Sequence, residues 1–381
     1  MRRKALVLSL VVIFLAAFIS GCINNGEPKT VTVTKTVRPE KESNAPATTS
    51  ASPNTASQFT QTTSSQKTPK INCNDDSWRD NFSQALTCAL DPKINHNFDP
   101  VYSLSLTGNK TKDALIITDF LVNYVHLDEF VENLSMKKGH YYNIKTPYEL
   151  FQTRQGTYAD MALFGGAYAL AKNGFETYLF EIATTNGFGV LPGFKLIVNH
   201  PWVPNNDPLV IFWPFRIPMR LSAALKLLNL SGETPKNVTV YTVSYNSGKY
   251  KVEKVGTYPA SEFKFWIMEW VTFGFPDSKT MNQLLSRDFP GCRFTGNLAA
   301  VSSNPEDVKD IKVTFPYGIL FYNVPFKQRY TEILYTLMIS NQEIAKDLQN
   351  CRVLLLGPET DFDFNNPPAN YTATYSGWVS R

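Results

Sequence analysis

The stretch from Ala159 to Lys172 constrains the fold more than any other part of the chain. It sets Met161, Leu163, Phe164, Tyr168 and Leu170 around nearly the whole circumference of a helix. A helix that is apolar on all sides has no face to offer water, so other elements must surround it. Gly174 ends it, because glycine takes the left-handed backbone of a helix C-terminus without steric cost. Upstream, Leu115, Ile116, Phe120, Leu121, Tyr124 and Val125 recur at helical spacing, which predicts a helix over Lys112 to Leu134. A further helix is expected from Trp78 to Leu90. Thr146-Pro147 opens a short one, with Thr146 as N-cap and proline at the first helical position. Strands are expected over Glu176–Ala183, Phe194–Val198 and Leu209–Trp213. In the second half, Val238–Tyr245 and Lys249–Val255 flank Asn246-Ser247-Gly248 and predict a hairpin. Ser261–Val271 and Tyr330–Leu348 read as helices, Ile311–Asn323 and Arg352–Leu356 as strands. Helices and strands without regular β-α alternation, and without an internal repeat, make the class α+β.

The N-terminus carries a different kind of message. Arg2, Arg3 and Lys4 precede an apolar run from Ala5 to Ile19, too short for a comfortable membrane span and ending in small residues. Ile19-Ser20-Gly21-Cys22 then has the lipobox pattern: an aliphatic residue, two small ones and a cysteine. A signal peptide over residues 1–21 and a lipid on Cys22 are therefore expected, anchoring the chain to the extracytoplasmic face of the cell membrane. One acyl chain holds a protein only marginally, so a two-chain lipid is expected. Residues 22–70 form a tether, rich in Ser, Thr, Ala, Pro and Gln from Ser43 to Pro69. Such a composition cannot bury enough apolar surface to offset its ordering entropy.

Composition narrows the partners. The formal net charge of +4 includes Arg2, Arg3 and Lys4, so the chain without its signal is nearly neutral. Nucleic acid, which calls for a clustered basic face, is not an expected partner. Cys73, Cys88, Cys292 and Cys351 remain after Cys22. In an oxidising compartment an even number reads as two disulfides. Three pairings are open; proximity favours Cys73–Cys88, which leaves Cys292–Cys351. Asn81, Asn109, Asn133, Asn229, Asn237 and Asn370 each head an Asn-x-Ser/Thr triplet and are candidate glycan sites.

The segment KTPYELFQTRQGTYADMALFGGAYALAKNGFETYLFEI (145–182) resembles the core of the transglutaminase-like superfamily. Thr146-Pro147 matches the start of that motif, and Arg154 and Gly156 the residues before its nucleophile. Asp160 matches the acid two residues after it, and Leu163, Leu170 and Gly174 the buried helix and its stop. The resemblance implies a papain-like core of helix plus antiparallel sheet over residues 71–215, with a mixed α/β extension over 216–381. It also implies a cysteine at the helix start, a histidine on the next strand and an aspartate one strand further. Here Tyr158 stands at the cysteine position. On the most direct register Phe194 takes the histidine position and Trp213 the aspartate position. A rival register offers His200 and Asp207-Pro208, but supplies no nucleophile unless Cys88 arrives from another helix.

No metal or cofactor is expected. His96, His126, His140 and His200 lack ligand spacing, and Asn186-Gly187-Phe188-Gly189 lacks the strand-to-helix setting of a phosphate loop. The expected role is a catalytically degenerate binding or scaffold module for a peptide, protein or envelope polymer. Two alternatives stay open: an envelope cysteine peptidase or amide transferase with a relocated nucleophile, and a substrate-binding lipoprotein serving a transporter.

Overall fold

The apolar helix lies where its composition requires. In the computed structural model, which describes residues 72–295, 308–363 and 366–380, α5 (Tyr158–Ala162) opens it and a π-helix over Leu163–Leu170 continues it. Every residue from Ala159 to Leu170 is buried. The described residues all belong to one unit, Phe59–Arg381; the signal, Cys22 and the tether fall outside them. Ahead of α5 come α1 (Phe82–Cys88), α2 (Lys110–Tyr124), α3 (Glu129–Lys138) and α4 (Pro147–Thr153). The π-helix packs on α2, on α4 and on the first sheet. Gly166 sets that last approach: a Cβ there would fall 2.2 Å from the Cβ of Pro192.

That sheet has six strands: β1 (Thr177–Thr184), β2 (Phe188–Phe194), β3 (Leu209–Val210), β4 (Met219–Arg220), β5 (Pro235–Asn246) and β6 (Lys249–Pro259). Their order is β4-β3-β2-β1-β5-β6, antiparallel throughout. The predicted hairpin is present. Asn246 pairs with Lys249 around Ser247-Gly248, whose φ values of 50° and 80° are those of the turn that matches strand twist. The hairpin pairs along β1, so one sheet continues across residues 215 and 216.

A second sheet holds β7 (Arg293–Thr295), β8 (Val308–Phe315), β9 (Val353–Pro358) and β10 (Ala373–Ser380), in the order β8-β10-β9-β7. Its pairs are antiparallel except β9 with β7. The helix α6 (Leu221–Leu230) packs on β3, β4 and β5 of the first sheet, and with the second lie α7 (Met268–Phe273), α8 (Ser278–Asp288), α9 (Lys327–Ser340) and α10 (Gln342–Leu348). Gly377 in β10 is required, since a Cβ would sit 1.8 Å from the carbonyl oxygen of Leu355. Buried side chains of both sheets form one continuous apolar cluster. The class is α+β with largely antiparallel sheets, as expected.

The disulfides are Cys73–Cys88 and Cys292–Cys351. The second joins the residues just before the paired starts of β7 and β9, where Arg293 lies opposite Val353. Several predicted elements differ. The long helix over 112–134 is two helices, α2 and α3, because Asp128 caps a new start: its carboxylate accepts from Val131 N. The strand expected over Phe194–Val198 ends at Phe194, since the chain turns tightly after β1 and β2 begins at Phe188. The strand over Ile311–Asn323 breaks after Phe315 into a helical turn, Gly318–Phe321. Ser261–Val271 gives only a 3-10 turn and the start of α7.

Candidate functional site: the start of the buried helix

Two successive capping boxes build the approach to this helix. Thr146 accepts from Glu149 N while Glu149 accepts from Thr146 N, opening α4. The same carboxylate takes a two-pronged ion pair from Arg79, at 2.8 and 2.9 Å. Arg154 closes α4 in left-handed backbone, φ 55°. Gln155-Gly156 then pairs in parallel with His126-Leu127. Gly156 has no room for a side chain; its Cβ would fall 2.4 Å from Leu150 Cδ1. Thr157 and Asp160 form the second box: Asp160 Oδ2 accepts from Thr157 N at 2.8 Å, and Thr157 Oγ1 from Asp160 N at 3.3 Å.

Asp160 is wholly enclosed. Its other oxygen accepts from Lys145 N at 2.7 Å. Burial pushes its carboxyl up to about 6, against the opposing pull of those two N–H groups. The acid of the motif therefore ties the chain before α4 to the start of α5; its bonds are those of a positioning residue.

Tyr158 occupies the first helical position, and its N–H donates to Glu132 Oε2 at 3.2 Å. Glu132 comes from α3, which the break at Asp128 folds back over the helix start. Its carboxyl is pushed up to about 7, first by burial and then by the charge of Asp160, while the Tyr158 N–H holds it back. An N–H at a helix start, aided by the dipole, is what would draw a thiolate in a cysteine enzyme. Here a glutamate already holds it. Burial, with Glu132 and Glu129 nearby, pushes the Tyr158 phenol far above its ordinary value. A neutral phenol of that kind is a poor nucleophile.

Of the three aromatic positions, two meet. The rings of Tyr158 and Trp213 lie 5.8 Å apart at 62°, and Trp213 precedes a cis proline, Pro214. Phe194, fully buried at the end of β2, instead meets Phe175 at 5.2 Å and Phe326 at 6.2 Å.

The rival pair is used elsewhere. His200 Nδ1 accepts from Trp202 N at 3.2 Å, and its ring meets Phe273. The Asp207 carboxylate accepts from Ser222 N and Ser222 Oγ at the start of α6, and its backbone carbonyl from Arg220 Nη1. Burial pushes Asp207 up to about 6, against the Arg220 charge. Cys88, the substitute nucleophile, is bonded to Cys73. The candidate glycan residues Asn81, Asn109, Asn133, Asn229, Asn237 and Asn370 are all exposed. No group of metal-ligating side chains is found among the described residues.

Glu132 escaped the sequence reading because a continuous helix over 112–134 carries it past the site. The signal that would have found it is Asp128, a cap residue followed by acids at 129 and 132, as suits a first helical turn.

No protein-family model matches the chain, and no curated protein sequence matches it. Among solved structures, that of Legionella pneumophila LapG (EGTA-treated) aligns with 46% of this chain and 90% of its own, at 12% identity and a TM-score of 0.26.

Proposed function

We propose that the chain is a lipoprotein anchored through Cys22 on the extracytoplasmic face. Its folded part carries a transglutaminase-like core that has lost its nucleophile and serves as a binding or scaffold module. The supporting observation is at the helix start: the Tyr158 N–H is held by the Glu132 carboxylate, and the side chain there is a half-buried phenol. A negative group in that place opposes a second one, so thiolate-like chemistry has no seat. The four cysteines among the described residues are closed in two disulfides, which removes Cys88 from the peptidase alternative. The transporter-linked alternative needs lobes built on β-α alternation, and both sheets are largely antiparallel. The module's expected ligand is a peptide, protein or envelope polymer.

Two measurements test this reading. Cells fed an alkyne fatty acid should label the full chain, and the label and the membrane association should both vanish in Cys22→Ser. Retention of either defeats the anchor. The purified full chain should show no amide hydrolysis or transamidation on a peptide library and no labelling by an iodoacetamide probe. Turnover that survives Tyr158→Phe but not a cysteine or serine substitution elsewhere would make the chain an enzyme.

A further inference from the structure

The first sheet ends in a free edge. β6 pairs with β5 alone, and among the described residues no other backbone group bonds to residues 249–259. Ser247 and Gly248 have the positive φ values of a type I′ turn, in which Lys249 N–H donates to Asn246 C=O. Along an antiparallel ladder, residues alternate between facing the paired strand and facing away. Lys249 and Lys251 therefore turn their backbone groups toward β5, while Tyr250 and Val252 turn theirs outward. The pairing then slips: Tyr241 lies opposite Lys254 and Val240 opposite Gly256, so Val255 is an extra residue. The straight part of the edge runs from the turn at Lys249 to the bulge at Val255, and Val252 is its midpoint.

The side chains of this edge carry both signs. Lys249, Lys251 and Glu253 are exposed on one face of the sheet, and Lys251 Nζ lies 2.6 Å from Glu253 Oε1. Tyr250 and Val252, half-buried, lie on the other face. An open edge invites pairing with another strand, and charged residues limit that. Here they choose a register. If a second β6 runs antiparallel beside the first with Val252 opposite Val252, Lys251 faces Glu253 twice, once from each copy, and no like charges meet. The neighbouring registers that keep outward residues opposite one another are worse. Tyr250 opposite Val252 puts Lys251 against Lys251, and Val252 opposite Lys254 puts Glu253 against Glu253. Like charges directly opposite destabilise a sheet, and unlike charges stabilise it.

We infer that two copies of this chain associate through β6, antiparallel about a two-fold axis at Val252. Each Val252 N–H would donate to the other copy's Val252 carbonyl, and the outward groups of Tyr250 would meet those of Lys254. Two Lys251–Glu253 pairs would close the exposed face. The two six-stranded sheets would become one continuous sheet. A two-fold interface must be self-complementary, and this edge is. An extended acidic segment would suit the two lysines but be repelled by Glu253, so the charge pattern favours a second copy. This inference goes beyond the binding-module reading and does not depend on it.

The test is sedimentation velocity on the full chain, with detergent micelles in excess so that two chains rarely share one. It is joined to amide hydrogen exchange, read by mass spectrometry over residues 249–255. We expect a monomer–dimer equilibrium, and protection of this strand that rises with protein concentration. Lys251→Glu and Glu253→Lys each place like charges opposite one another and should weaken the dimer about tenfold or more. The double swap, Lys251→Glu with Glu253→Lys, restores both pairs and should return to within about threefold of the parent. Val252→Pro removes the central N–H from an edge position and should also abolish dimerisation. If Val252→Pro does not fold, the charge variants, both at exposed positions, still decide. A chain that is monomeric at every soluble concentration overturns the inference. So does a dimer that both single charge variants leave intact, or a double swap as weak as they are. Protection of the strand that is independent of concentration would mean that another segment of the same chain covers the edge, and it overturns the inference too.

Discussion

Two acidic clusters in this molecule sit in opposite electrical settings. Glu269 is 2% exposed and faces Arg220, at 3% exposed, in a two-pronged pair with contacts of 2.8 and 3.0 Å. Glu269 also accepts from Val324 N, so its lone pairs are spent and its charge matched. At the start of the buried helix, Asp160 and Glu132 have backbone N–H partners, and among the described residues neither has an ion pair. Lys145 Nζ lies 3.8 Å from Asp128 Oδ2 and donates to Gln155 O. A buried charge matched by a two-pronged pair locks geometry. An unmatched one becomes titratable near neutral pH. The first cluster is a clasp between β4, α7 and the turn at Val324; the second is a helix start whose charge is open to change.

The sharpest way to break this comparison is to remove one partner of the clasp. Glu269→Ala leaves Arg220 buried and unpaired, and should cost ~3–5 kcal/mol. Chemical denaturation of the variant against the parent measures this. A loss below ~1 kcal/mol would mean that water reaches Arg220 and that the clasp is not sealed.

The helix start predicts a pH dependence of definite sign. Both acids have folded-state values above their unfolded ones, Asp160 at about 6 and Glu132 at about 7. Between the unfolded and folded values the native state holds a proton that the unfolded chain has released. Stability therefore falls as pH rises from about 4 to about 7, by up to ~1.4 kcal/mol per pH unit for each group. Glu132→Gln keeps an oxygen for the Tyr158 N–H but cannot ionise. Its melting temperature should lie above the parent's at pH 8 and merge with it near pH 4. A variant that tracks the parent at every pH would remove Glu132 from the account. Asp160→Asn should behave differently. An amide has one acceptor oxygen, so Thr157 N or Lys145 N is left unsatisfied at all pH values, costing ~1–3 kcal/mol.

Much of this was legible in the residues themselves. The buried helix, the Thr146 cap with Pro147, the hairpin around Asn246-Ser247-Gly248 and the disulfide pairing that proximity favours rest on local rules of periodicity, cap chemistry and proximity. What was hidden depended on non-local contacts or on residues that disguise their role. β2 contains Pro192 and Gly193, poor strand formers that fit there because Pro192 lies against Gly166 and Gly193 against Phe180. β10 lies inside the second sheet, yet it reads as a polar tail because only alternate residues, Ala373, Tyr375, Gly377 and Val379, face inward. At the candidate site, the helix start with Tyr158 and Asp160 was legible from the residues between Thr146 and Gly174. Glu132 was not, because a helix continued from Lys112 to Leu134 carries it past the site, whereas the Asp128 cap breaks that helix and His126 N donates to Arg154 O across the turn.

A final prediction tests what the setting of the helix start does to a thiol placed there. If that setting were neutral, Tyr158→Cys would give a reactive thiol at a helix start, with its pKa depressed by the dipole and the free N–H groups. With Glu132 on the Tyr158 N–H, the opposite is expected. The carboxylate repels a thiolate, and the enclosed position disfavours its charge. The introduced thiol should react with a disulfide reagent no faster at pH 7 than an ordinary buried cysteine. Adding Glu132→Gln removes the repulsion and keeps the fold, so the double variant should react several-fold faster. The enhancement should be smallest below pH 6, where Glu132 is already protonated in the single variant. A thiol that is equally reactive with and without Glu132 would place the cause in burial alone. A thiol that is fast in the single variant would mean that the site needs only its cysteine back.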